Sequence, residues 1–95
     1  MRYLKVDWKH TFPQEPLELF MELDDAGMEI RKVHIYPDRH RERADAILSD
    51  KDTELCYEPT PPLEEINSDP QFEGHWITRE EFEKEWKQTP QQTGQ

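Results

Sequence analysis

Ninety-five residues with 22 Asp and Glu against 12 Lys and Arg carry a formal charge of −10. A chain of that sign repels the phosphate backbone of nucleic acid and the anionic face of a membrane, so neither is an expected partner. Leu, Ile, Val and Phe total 18 residues, just under the roughly one-fifth share below which a highly charged chain struggles to bury a core. Three Trp, three Tyr and three Met restore buriable area, which specifies one small folded domain with a thin, aromatic-rich core. The expected domain spans 1–88, followed by a disordered tail over 89–95 that contains no large apolar residue. One cysteine, Cys56, excludes an internal disulfide, Lys5 and Asp7 interrupt any leader-like apolar run, and no stretch is apolar for the length of a bilayer. The expected home is a reducing cytoplasm.

The first element is a strand over Arg2 to Trp8, with Leu4, Val6 and Trp8 on one face and Tyr3, Lys5 and Asp7 on the other, covered mainly on one side. Pro13 and Pro16 make His10 to Pro16 a loop. The cleanest alternation follows, Leu17, Leu19, Met21 and Leu23 against Glu18, Phe20, Glu22 and Asp24, and it predicts a second strand. Asp24-Asp25-Ala26-Gly27 is turn chemistry with a glycine free to take positive φ, so Met28 to Tyr36 folds back as the hairpin partner. Within that run Met28 and Ile30 share one parity and Val33 and Ile35 the other, which calls for a bulge near Arg31-Lys32 or for burial on both faces.

Pro37-Asp38 opens another turn. Arg41 to Leu48 reads as a further strand, although Ala44, Ile47 and Leu48 also suit a helical face. Leu55 to Tyr57 fits a short edge strand, Pro59-Thr60-Pro61-Pro62 stops pairing, and Leu63 to Asn67 fits a single helical turn. The last element is the most legible. Thr78 and Glu81 stand at capping-box spacing, Ile77 and Phe82 at staple positions, and Phe82 and Trp86 share one face. Together these elements predict an α+β fold, a meander of three to five antiparallel strands with the C-terminal helix packed on one face. Phe82 and Trp86 are expected on the side of Leu17, Leu19, Met21 and Leu23, leaving the side of Glu18, Glu22 and Asp24 largely wet.

Tyr3-Leu4-Lys5-Val6 with Trp8 and His10, Glu15-Pro16, Leu23-Asp24-Asp25, Ile30-Arg31-Lys32-Val33, Pro62 to Asn67, and Ile77-Thr78 with Glu80 to Glu83 are all present. This series resembles a family of small bacterial domains of unknown function. The resemblance covers nearly the whole chain apart from Asp38 to Thr53 and the tail. It implies one compact domain and supplies no activity, ligand or catalytic residue.

Among candidate sites, Trp8, His10 and Glu15 meet where a strand enters a proline-bounded loop, and with Tyr36 they form the candidate ligand-binding set. The bland alternative makes Trp8 a core residue and His10 a cap on a loop carbonyl. His10, His34, His40, His75 and Cys56 show no paired metal-ligand spacing, so no metal and no cofactor is expected. Cys56 paired with a histidine as a nucleophile lacks a motif too, and no catalytic residue is assigned. Glu18, Glu22 and Asp24 repeat at strand spacing beside an acidic turn and form the candidate partner-binding set, a negative patch suited to a basic protein. The alternative is a solvated face that discourages edge pairing. The favoured reading is therefore an acidic interaction module of the inhibitor or immunity type that binds a basic partner. A small-ligand binder or enzyme using Trp8 and His10, and a structural homodimer subunit, are the rivals.

Overall fold

The computed structural model describes residues 1–47, 49 and 53–89. Its strands are β1 (Arg2–Trp8), β2 (Glu18–Leu23), β3 (Glu29–Ile35), β4 (Arg41–Ala44) and β5 (Phe72–Ile77), and its helices are α1 (Leu63–Ser68) and α2 (Arg79–Gln88). The strands form one antiparallel sheet in the order β4-β3-β2-β1-β5. The predicted α+β class and the meander of β1 to β4 are therefore present. Leu48 and 90–95, parts of the predicted fourth strand and of the tail, lie outside the described residues.

The first hairpin turn closes with the Gly27 N–H donating to the Asp24 carbonyl and Gly27 at φ 83°, a conformation that favours glycine. The Asp24 carboxylate accepts from the N–H groups of Ala26 and Met28 and locks the same turn. The register between β2 and β3 slips between Glu22 and Leu23, where Ile30 is left without an opposite residue. This irregularity lies one position before the expected Arg31-Lys32, and beyond it Lys32, Val33, His34 and Ile35 are all buried. Both devices proposed for the phase change therefore operate, because β3 is an inner strand covered on both sides.

Burial on both sides is the main departure from the sequence reading. Tyr3, Phe20, Val33, Ile35 and Phe82 form one core cluster, with Ile77 and Trp86 against it. Leu4, Val6, Met21 and Leu23 form a second, with Leu63, Ile66 and Phe72 against it. Helix α2 thus packs on the side of Phe20 and Tyr3, not on the side of Leu19, Met21 and Leu23, which belongs to α1. The side expected to be wet is the one that α2 covers. Phe82 is fully buried with its ring 5.5 Å from that of Tyr3, and burial of a side chain that size contributes about 2–3 kcal/mol.

The remaining corrections are local. β5 pairs with the free side of β1, with Leu4 opposite Trp76 and Val6 opposite Gly74. Gly74 is buried because α1 crosses it closely, and a Cβ there would stand 2.9 Å from Leu63. The Asn67 side chain donates to the Gly74 carbonyl and accepts from the Gly74 N–H, so α1 satisfies backbone groups of an edge strand. Among the described residues Leu55 to Tyr57 pairs with no strand, and the segment is tied instead to side chains of β3, with Lys32 donating to the Glu54 carbonyl and Glu29 accepting from the Cys56 N–H. Helix α2 begins as expected, with Thr78 accepting from the Glu81 N–H and Glu81 accepting from the Thr78 N–H.

Candidate functional site

The three acidic residues expected to form a patch occupy three different settings. Glu22 is 7% exposed. Its carboxylate accepts from the Tyr3 hydroxyl and from Arg31 at 2.6 Å, and Arg31 also reaches Glu83 of α2 at 2.7 Å. The Arg31 guanidinium lies 4.9 Å from the rings of both Phe82 and Trp86, while Arg43 covers the other side of the contact at 4.3 Å from Trp86. Hydrogen bonds from Arg31 hold the Glu22 and Glu83 carboxyls below their ordinary range, against the opposing pull of burial. Burial first, and then the bond to Glu22, raises the Tyr3 phenol. Glu18 faces Lys5 at 3.4 Å and Arg39 at 3.7 Å, and Arg41 pairs with Glu85 at 2.7 Å. Asp24 holds its own turn. On the α2 side, charge is thus largely matched within the molecule.

Trp8 and His10 do come together, with rings 4.6 Å apart, inside an aromatic row that runs Phe72, Trp8, His10, Phe12. Both His10 nitrogens serve the loop. Nδ1 accepts from the Phe12 N–H at 2.9 Å, so Nε2 is the donor to the Pro16 carbonyl at 2.8 Å. Trp8 donates to the Gln71 side chain. Glu15 is exposed, and no hydrogen bond joins its carboxylate to His10. Tyr36 is 3% exposed and belongs to a separate cluster.

That cluster lies on the α1 side of β3 and β4. The Tyr36 hydroxyl stands 3.0 Å from the Thr53 hydroxyl, which donates to the fully buried Glu42 carboxylate at 2.9 Å. His40 stacks on Tyr36 with ring centres 4.4 Å apart and bonds Glu42 through Nε2 and Asp38 through Nδ1. Burial pulls the His40 imidazolium down, but its bonds to Glu42 and Asp38 outweigh that and raise its pKa above the ordinary value. His34 lies deeper. Its Nε2 has no hydrogen-bond partner among the described residues, and burial first, with Lys32 second, pushes its pKa down to about 3.

These buried polar groups fasten an irregular segment across the sheet. Thr53 bonds Glu42, Lys32 donates to the Glu54 carbonyl at 3.0 Å, the Cys56 N–H donates to Glu29, and the Thr60 N–H donates to the Gly27 carbonyl. Between that segment and α1 lies an open groove of about 500 Å³. Val6, Leu19, Met21, Ile66 and Phe72 give it an apolar floor, and Glu58, Glu65 and Asp69 stand on its walls. Phe72 also begins the aromatic row, so the end of the groove adjoins Trp8.

Residues 2–91 match the family described as Domain of unknown function (DUF6881). The chain belongs to that family. Neither a curated protein nor a solved structure matches it. The match agrees with the resemblance read from the residues in covering nearly the whole chain with a domain of unknown function.

In this DUF6881 domain the groove was missed by sequence reasoning, yet a signal for it exists. From Thr53 to Thr78 the chain carries Glu54, Glu58, Glu64, Glu65, Asp69 and Glu73 and not one Lys or Arg. Of these six, only Glu73 has an ion-pair partner among the described residues, Lys9 at 3.4 Å. The same stretch builds both walls of the groove. Among the described residues no group of three His, Cys, Asp or Glu side chains is arranged to hold a metal ion, and no helix is long and apolar enough to cross a membrane.

Proposed function

We propose that this domain is a protein-interaction module, of the inhibitor or immunity type, that binds a basic partner protein. The observation that carries this reading is the segregation of charge. Cations and carboxylates are largely matched on the α2 side, whereas Glu54, Glu58, Glu64, Glu65 and Asp69 have no cation partner among the described residues. A net charge of −10 that includes five such carboxylates along one stretch of chain makes a field that steers a cationic protein toward that stretch and accelerates encounter. The rival reading of a ligand site or enzyme at Trp8 and His10 draws less support, since both His10 nitrogens are engaged within the loop and Tyr36 lies in a different cluster.

A titration of the isotope-labelled domain with oligolysine, followed by backbone amide shifts at low and at high salt, tests the reading. Salt-sensitive shifts concentrated in residues 54 to 69 are expected. Shifts of equal size on α2 and on the α1 side, or no binding at low salt, would overturn it.

A further inference from the structure

We infer that the groove between α1 and the crossing segment receives an apolar side chain of that basic partner, presented on a stretch of chain flanked by Lys or Arg. The inference rests on the preceding reading and names the site and the chemistry that it recognises.

The floor supplies the apolar half of the argument. Val6 and Met21 are each 5% exposed and well packed, while Leu19, Ile66 and Phe72 are only partly covered. An open groove with such a floor gains from being covered, because apolar surface leaves water. Its volume falls among those of side-chain and small-ligand sites, about 300 to 1,000 Å³. Tyr57, between the wall residues Cys56 and Glu58, is 87% exposed, and an uncovered aromatic beside an apolar pocket is the composition of an interface centre.

The walls supply the charged half. Glu58 stands on one side and Glu65 and Asp69 on the other, so a cation on either flank of an inserted side chain finds a carboxylate. Glu29 at the margin is not available in the same way, because Lys32 holds it at 2.9 Å and the Cys56 N–H donates to it. A second copy of this chain, itself at −10, is repelled from these walls. The stretch from Thr89 to Gln95 has neither a large apolar side chain nor a cation to offer.

Both walls are fixed before anything binds. Thr60 on Gly27, Cys56 on Glu29 and Lys32 on Glu54 hold one, and the two bonds between Asn67 and Gly74 hold the other. Little ordering is needed on association, which lowers its cost.

Cys56 makes the inference testable, since it is exposed, lines the groove and is the sole cysteine of the chain. Three synthetic octapeptides serve as probes: two central leucines flanked by lysines, the same with serines for the leucines, and the same with serines for the lysines. Affinity is read by calorimetry, and occupancy by the rate at which iodoacetamide alkylates Cys56 in the intact protein. The leucine–lysine peptide should bind at least about tenfold more tightly than its serine–lysine twin, the factor expected for covering one leucine. It should slow alkylation saturably, and the double variant Glu58→Gln with Glu65→Gln should weaken its binding. Equal binding of the two lysine peptides with Cys56 still reactive would overturn the groove while leaving a basic partner in place. Failure of both lysine peptides would overturn the interaction reading as well. Tight binding of the lysine-free peptide would contradict the charged half of the proposal.

Discussion

The α2 side of the sheet and the groove beside α1 handle the same raw materials, aromatic rings and charge, in opposite ways. Under α2, rings and ions interlock: Arg31 sits over Phe82 and Trp86 while binding Glu22 and Glu83, and little is left to offer a partner. In the groove beside α1, rings and ions are kept apart, with an apolar floor below and, on the walls, the carboxylates of Glu58, Glu65 and Asp69, which have no cation partner among the described residues. Charge that is matched internally stabilises a fold, and charge that is left unmatched recruits something else. A shared excess of acid over base is thus read wrongly if it is spread evenly over the surface.

The most severe way to break the α2 side is Phe82→Ala. The ring is fully buried, and its loss should cost about 3–5 kcal/mol, which a domain this small barely survives. Ile66→Ala, at the half-covered margin of the groove, should cost roughly half as much, because less surface returns to water. Urea midpoints of the two variants compare the sides directly, and equal losses would show that α1 and α2 contribute alike to the core.

Acid should weaken the α1 side through His34. In the folded chain this imidazole stays neutral down to a pKa of about 3, whereas in the unfolded chain it takes a proton near pH 6.5. Unfolded protein therefore binds more protons between those values, and stability falls as pH drops through that window, by on the order of 5 kcal/mol over its full width. Glu22 and Glu83, whose values are lowered, add their own loss only as pH falls below the ordinary carboxylate range. His40 has the opposite sign, since its raised value contributes stability below about pH 6.5 that disappears as pH rises through the folded value. Replacing His34 with Gln should flatten the stability profile between pH 6.5 and 4.5, read by thermal melts across a pH series.

Arg31→Gln removes the cation from two carboxylates and two rings at once. Partial exposure of the group screens part of the effect, so a loss of about 2 kcal/mol is expected. Thr78→Ala is smaller again, about 1 kcal/mol, since only the cap of α2 is lost.

What was legible in the chain was local. Thr78 with Glu81, the Asp24 to Gly27 turn, and the alternation through Arg2 to Trp8 and Glu18 to Leu23 each signal within a few residues, and each is found. What was not legible depends on distant partners. Glu22 alternates like a solvent-facing residue, but it is buried by Arg31, which is in turn bound by Glu83, 52 positions further along. β5 was hidden because Gly74 stands where the alternation calls for an apolar side chain and Trp76 and Ile77 are apolar side by side, and at Gly74 α1 passes too close for a side chain. The groove assembles from β1, β2, α1 and an irregular segment, so no periodicity could announce it. Only the lack of Lys and Arg from Thr53 to Thr78 marked its walls.

Paired neutralisation on the two sides tests the central distinction most directly. Glu58→Gln with Glu65→Gln should leave the melting temperature nearly unchanged, since exposed carboxylates without partners give up little, while markedly reducing salt-sensitive binding of the leucine–lysine peptide. Glu22→Gln with Glu83→Gln should do the reverse, lowering the melting temperature by undoing the Arg31 network and leaving peptide affinity intact under conditions where the variant remains folded. If the α1 pair proves the more destabilising, or if the α2 pair abolishes binding to a folded domain, the division of this molecule into a closed side and a recruiting side is wrong.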